Sequence, residues 1–135
     1  MVWVVAYLAS ALAFLAIDGI WLGVVAKGFY ARELGTLLRD SPDLRIAAVF
    51  YLVYAAGIVL FAVLPGLQAQ SWKIALGYGV ALGFIAYGTY DMTNLATLRG
   101  WPVAMSIADM AWGSVLTGVT ALAGYWAARV AGTMW

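Results

Sequence analysis

The sequence predicts an all-α integral membrane protein in which four spanning helices form one bundle. Of its 135 residues, 66% are hydrophobic and only 10% are charged, whereas a soluble domain is about 25% charged and about 45–50% apolar. Four apolar runs are long enough to cross a bilayer, which takes about 20 residues. The predicted spans cover residues 3–26, 43–66, 72–92 and 102–127, within a single domain of residues 1–135.

Short polar segments mark where the predicted spans begin and end. Ser41-Pro42-Asp43 supplies an N-cap, a proline at the first helical position and an acid in the first turn of the second span. Pro65-Gly66 is expected to end that span. Ser71 is expected to cap the third span, and Gly100-Trp101-Pro102 to open the fourth.

The connection between the first two spans, residues 27–41, predicts a short amphipathic helix in the membrane interface. Its apolar residues recur at helical spacing, and its charged residues lie mostly elsewhere around the helix. An ordinary structured loop is the alternative interpretation. The apolar positions are Tyr30, Leu34, Leu37 and Leu38, and the charged positions are Arg32, Glu33, Arg39 and Asp40.

The distribution of Lys and Arg predicts the orientation of these spans. Five basic residues lie in or beside the first and third connections, and two lie on the opposite side. The positive-inside rule then puts those connections in the cytoplasm and both termini outside. The five residues are Lys27, Arg32, Arg39, Arg45 and Arg99, and the two are Lys73 and Arg129.

Cysteine and histidine are both absent from the sequence. Their absence excludes disulfides, thiolate zinc sites, Fe–S clusters, histidine-ligated haem and histidine-dependent triads, so no cofactor is predicted. The net charge of +1 argues against nucleic acid as a partner. A metal would have to be a hard cation such as Mg²⁺ held by oxygen ligands.

Three aspartates within apolar helices are the main functional signal. Asp18, Asp91 and Asp109 lie inside or at the edge of predicted spans, where a carboxylate costs roughly 2.5–3.5 kcal/mol. Counting about 1.5 Å per residue along helices of alternating direction puts all three in one half of the membrane. No Lys or Arg lies at similar depth. We therefore expect the three carboxylates to point inward and toward each other.

Polar and aromatic residues accompany these aspartates at helical spacing. A D-x-x-W pair occurs twice, and tyrosines of the second span lie at matching depth. The sequence thus predicts a half-membrane cavity lined by carboxylates, an amide, phenols and indoles. Its predicted lining is Asp18, Trp21, Tyr51, Tyr54, Tyr87, Asp91, Asn94, Ser106, Asp109 and Trp112.

This constellation favours the binding, and by extension the transport, of a lipophilic or cationic small molecule or a lipid. Aromatic faces attract cations, and intramembrane carboxylates suit proton exchange. A divalent-metal-dependent enzyme acting on a lipid is one alternative, with Mg²⁺ on Asp91, Asn94 and Asp109. A structural membrane subunit, whose aspartates only join helices through hydrogen bonds, is another.

Gly79 and Gly83 form a GxxxG pattern, which is typical of closely packed membrane helices. Two interpretations carry equal weight. The glycines either form a contact between two copies of the chain, which predicts a homo-oligomer, or pack against another helix of the same bundle.

The most distinctive motifs are spread over nearly the whole chain. They are IDGIWLG (17–23), GFY (28–30), FYLVYAAG (50–57), YGTYDMTNLATL (87–98), WP (101–102) and DMAWG (109–113). Together they resemble a family of small bacterial inner-membrane proteins catalogued as a domain of unknown function. The resemblance implies four spans and favours lipids as ligands, and it transfers no catalytic residue.

Overall fold

The computed structural model describes the backbone of residues 1–134 and the side chains of residues 1–132. Every regular element in that range is helical. The helices pack along one another as a bundle, which confirms the predicted all-α class.

The first helix, α1, covers Val2–Ile20 and continues as a π-helical turn, Trp21–Val25. A short helix, α2, follows over Lys27–Leu34, and a single 3-10 turn covers Gly35–Leu37. The connection is therefore helical as predicted, but α2 ends well before residue 41. It ends there because Gly35 adopts a φ of 55°, a conformation that interrupts a right-handed helix.

The second long helix begins within one residue of the predicted start. Helix α3 covers Leu44–Ile58, and its N-cap is Asp43. The Asp43 Oδ1 atom accepts hydrogen bonds from the backbone N–H groups of Arg45, at 3.1 Å, and Ile46, at 3.4 Å. The prediction of Ser41 as the cap is wrong, since the carboxylate two residues later pairs with the free N–H groups of the first turn.

The predicted end of this helix at Pro65-Gly66 is also wrong. A π-helical turn, Val59–Val63, joins α3 to α4, Leu64–Ala69, so the helix runs past the proline. Pro65 lies in the first turn of α4, where its missing N–H group costs little. The helix ends instead at Gln70, whose backbone is left-handed.

The last two helices are longer than predicted. Helix α5 covers Trp72–Thr97, and the hydrogen bond from the Ile74 N–H group to Ser71 Oγ, at 3.3 Å, confirms Ser71 as its cap. Helix α6 covers Val103–Met134, beginning directly after Pro102.

Three helical segments in the described part of the chain are long and apolar enough to cross a membrane: Val2–Val25, Leu44–Ala69 and Val103–Gly132. Helix α5 has 26 residues, and so matches them in length. Its glycines, tyrosines and polar C-terminal part make it less apolar than the other three.

Helix α6 is the centre of the bundle, because both α1 and α5 pack along it. A Cβ atom on Gly79 would lie 3.0 Å from the Gly118 Cα atom, and one on Gly83 would overlap the Gly113 carbonyl oxygen. The two GxxxG glycines therefore face α6 of the same chain. A contact between two copies would have to use another surface.

Helices α3 and α5 diverge toward one end of the bundle. Helix α3 packs against α1, whereas the later part of the same continuous helix, Val59–Val63 and α4, packs against α5. The divergence opens a space at the end where α3 begins and α5 finishes, beside the region that holds the three aspartates.

Candidate functional site

The three aspartates lie in α1, α5 and α6 near the same end of the bundle. Asp18 is 5% exposed and Asp91 is 0% exposed, whereas Asp109 is half-buried. Asp109 interacts electrostatically with both of the others. The structure thus places Asp109 near enough to both of the other acids to affect their charge.

Two tryptophans form a stack beside the aspartates. The rings of Trp21 and Trp112 are nearly parallel, 9° apart, with their centroids separated by 4.2 Å. Trp112 Nε1 donates a hydrogen bond to Asp18 Oδ1 at 3.1 Å. Trp21 lies where α1 changes to the wider π turn, a feature often found at functional sites.

Tyr30 connects α2 to the aspartate cluster. Its hydroxyl donates to Asp109 Oδ1 at 2.8 Å and accepts from Trp21 Nε1 at 3.2 Å. Burial raises the pKa of Tyr30, so the phenol keeps the proton that it donates to Asp109. The sequence pattern places Tyr30 among the apolar residues of the connecting helix and does not predict it in the site. The signal that it overlooked is the phenol hydroxyl, which needs a partner when the ring is buried.

The tyrosines of α3 and α5 form an aromatic wall. Tyr51 lies beside Asp18, and the Tyr54 hydroxyl shares a hydrogen bond of 2.8 Å with Thr117 Oγ1. Phe14 of α1, which sequence reasoning did not select, contacts both tyrosines edge-on, with ring centroids 5.1 Å from Tyr51 and 5.5 Å from Tyr54.

Tyr87 depends on a glycine of the opposite helix. A Cβ atom on Gly113 would overlap the Tyr87 ring, so the ring lies against the bare α6 backbone. The glycine of the DMAWG motif is thus explained by the close approach of Tyr87, which it directs toward the cavity.

A cavity of about 400 Å³ occupies the space between α3 and α5. Six aromatic rings and one carboxylate lie around it. Phe50 and Tyr90 are 61% and 57% exposed, which places the opening on the side of the bundle between the two helices. The lining residues are Phe14, Phe50, Tyr51, Tyr54, Ala86, Tyr87, Tyr90 and Asp109.

Two predicted site residues take other positions. Ser106 Oγ donates to the Pro102 carbonyl oxygen of its own helix at 2.8 Å, and Asn94 interacts with Tyr90. Among the described residues, neither lines the cavity. In the described structure, the predicted lining residues Asp18, Trp21, Asp91 and Trp112 do not line it either.

Basic residues do not neutralise this cluster. In the chain as far as the structure describes it, none of the three aspartates forms a salt bridge with Lys or Arg. The same residues hold no group of three acidic side chains arranged to bind a metal ion.

Asp91 has the fewest partners of the three aspartates. Both of its carboxyl oxygens are buried, and neither has a hydrogen-bond partner among the described residues. Asp18 and Asp109, by contrast, each accept a hydrogen bond.

The comparison with protein families gives a match over most of the chain. The family described as a predicted membrane protein, DUF2177, matches residues 3–126. The matched range includes every residue of the site, and it confirms the resemblance predicted from the motifs. No curated protein and no solved structure matches the chain.

Proposed function

Because the chain belongs to the DUF2177 family of predicted membrane proteins, we propose for it a function within the bilayer, the binding of a lipophilic organic cation. The cation would occupy the cavity between α3 and α5, with its charge toward Asp109. The observation that carries this proposal is the composition of the cavity wall, six aromatic rings and a single carboxylate.

The charge of the wall selects a cation. Ring faces attract positive charge, most of all where water is excluded, and aromatic cages are the usual means of binding quaternary ammonium groups. Asp109 has one oxygen bonded to Tyr30, and it forms no salt bridge among the described residues. A volume of about 400 Å³ falls within the usual range for small-molecule pockets, about 300–1,000 Å³.

The position of the opening selects a lipophilic ligand. Phe50 and Tyr90 flank a lateral entrance between two helices. A ligand that partitions into the bilayer, such as a hydrophobic cation or a lipid with a cationic headgroup, would reach the cavity from the membrane.

We also propose that α5 is a fourth span and that the protein lies in a bacterial inner membrane. Three glycines of α5, Gly79, Gly83 and Gly88, are buried in the bundle together with Asp91, whereas Phe84 and Ile85 are exposed. The buried acid and these small residues thus face the bundle, and the exposed apolar side chains are suited to lipid. The excess of basic residues beside the first and third connections favours a cytoplasmic location for both.

Cysteine labelling tests this topology, since the sequence has no cysteine of its own. Lys73→Cys lies in the first turn of α5, and Arg99→Cys lies just beyond its end. In intact cells, a membrane-impermeant maleimide should label Lys73→Cys and reach Arg99→Cys only after permeabilisation. Labelling of both from the same side would contradict a fourth span.

Ligand binding is tested with tetraphenylphosphonium, using tetraphenylborate as an anion of the same shape. Calorimetry on the protein in nanodiscs should detect binding of the cation alone. Asp109→Asn should weaken it at least about tenfold, which corresponds to about 1.4 kcal/mol. Asp40→Asn is the matched control, because Asp40 is exposed and lies outside the cavity wall.

Two outcomes would contradict the proposal. If the cation and the anion bind equally, the shape of the probe and not its charge determines affinity. If Asp109→Asn binds the cation as tightly as the wild-type protein, the Asp109 carboxylate does not contribute to binding. Magnesium-dependent turnover of an added phospholipid, abolished by a chelator, would favour the enzyme alternative instead.

A further inference from the structure

Asp91 has surroundings that an ionised carboxylate does not tolerate. It is 0% exposed, and neither of its oxygens has a hydrogen-bond partner among the described residues. An unpaired charge in a low-dielectric interior is so costly that the group takes up a proton instead.

The groups facing Asp91 make ionisation still less favourable. From α6 it faces the Asp109 carboxyl group, and on its own helix it interacts with Tyr90. In the part of the chain that the structure describes, no Lys or Arg forms a salt bridge with it. Its environment therefore supplies negative charge and no compensating cation.

The hydrogen bonds indicate which acid of the pair is ionised. Asp109 accepts the Tyr30 hydroxyl at 2.8 Å, and a charge-assisted hydrogen bond of this kind stabilises the ionised form. Asp91 accepts no such bond. The difference in partners favours the proton on Asp91 and the charge on Asp109.

We propose that Asp91 is a proton-binding site and that the arrival of a cation beside Asp109 releases its proton. The second part rests on the proposed function. Before binding, the pair carries one proton and one negative charge. Afterwards two carboxylates and one cation again sum to one negative charge, so the site keeps its net charge.

The route of the proton follows from the exposure of the two groups. Asp91 is enclosed, whereas Asp109 is half-buried and lines the cavity. The O–H bond of Asp91 breaks as Asp109 takes the proton, and Asp109 then passes it to water. No oxidant, metal or further reactant is needed.

The first test needs no ligand. Infrared spectra of the wild-type protein at neutral pH should contain the C=O stretching band of a protonated carboxylic acid, shifted by ¹³C-labelling of aspartate. Asp91→Asn should remove the band, whereas Asp40→Asn should retain it. A missing band, or one unchanged in Asp91→Asn, would overturn the inference.

Other variants keep this test decisive if Asp91→Asn does not fold. Asp18→Asn and Asp109→Asn each remove one of the other two buried or half-buried acids. A band present in both variants assigns the proton to Asp91 by elimination. A band lost in either variant would overturn the inference, because a buried Asp91 without hydrogen-bond partners should keep its proton.

The second test measures the exchange itself. Tetraphenylphosphonium added in weak buffer with a pH-sensitive dye should release about one proton per bound cation, and its affinity should rise about tenfold per pH unit. Asp91→Asn should bind the cation with no proton release and no such slope. A variant that keeps the slope would overturn the exchange.

The two proposals fail in distinguishable ways. If the wild-type protein does not bind tetraphenylphosphonium, the proposed cation site is wrong, and the infrared band alone decides whether Asp91 binds a proton. If the cation binds and Asp91→Asn changes neither the band nor the slope, the cation site stands and the role of Asp91 is wrong.

Discussion

The stacked rings of Trp21 and Trp112 connect the Asp18 and Asp109 carboxyl groups. Their rings stack with centroids 4.2 Å apart, and their indole N–H groups donate in different directions. Trp112 donates to Asp18, and Trp21 donates to Tyr30, which in turn donates to Asp109. A continuous chain of contacts therefore runs from one carboxylate to the other.

The Trp112→Phe variant should show how much the hydrogen bond to Asp18 contributes to stability, apart from the ring stacking. Phenylalanine retains an aromatic ring but leaves the Asp18 carboxylate without the indole donor, which should lower the free energy of unfolding by about 1–3 kcal/mol. Thermal unfolding in detergent measures the effect. Trp126→Phe is the control, because Trp126 is exposed; equal stability of the two variants would show that the Asp18 bond contributes little.

The Tyr30→Phe variant should loosen α2. Asp109 loses a donor and Trp21 loses an acceptor, so hydrogen–deuterium exchange should accelerate over Lys27–Leu34 and change little in the buried part of α5. Exchange that stays as slow as in the wild-type protein would mean that packing alone holds α2 in place.

The contribution of Tyr30 should also depend on pH. Burial raises its pKa above the ordinary value of 10.0, so the neutral phenol donates fully below that value. The stabilisation should then disappear as the pH rises through the higher pKa of the folded state. The difference in unfolding temperature between wild type and Tyr30→Phe should accordingly be constant at neutral pH and shrink only in strongly alkaline solution.

The sequence predicts the helices well and their ends less well. Three of the four apolar runs and the Ser71 cap follow from local chemistry, and the structure confirms them. The cap at Asp43 and the helix that continues through Pro65 depend on which of several neighbouring groups makes the hydrogen bonds, and composition does not decide between them.

Gly83→Ala should test the packing of α5 against α6. The added methyl group would overlap the Gly113 carbonyl oxygen, and backbone atoms cannot move aside as a flexible side chain can. We expect a loss of about 1–3 kcal/mol in the free energy of unfolding. On the same helix, Gly77→Ala meets nothing within 4 Å and should be neutral or stabilise by up to about 1 kcal/mol.

The sequence predicts how far along their helices the site residues lie, but not which contacts they make. Helical rise alone puts Asp18 and Asp109 in one half of the membrane. Spacing along one helix does not reveal a partner from another element. It therefore does not predict the contacts of Tyr30 and Phe14 with the site. Ser106 was selected for its polarity, although its hydroxyl pairs with its own helix backbone.

Ala86→Phe should show whether the cation needs the space of the cavity as well as the Asp109 carboxylate. Ala86 lines the cavity, so a phenyl ring there fills space that a cation would occupy while leaving Asp109 and Asp91 in place. Tetraphenylphosphonium affinity should fall at least about tenfold, about 1.4 kcal/mol, and the infrared band of the protonated carboxyl should remain. Ala81→Phe, at an exposed position of the same helix, should bind like the wild-type protein. Equal affinity of the two variants would place the cation outside this cavity, even if Asp109 is needed to bind it.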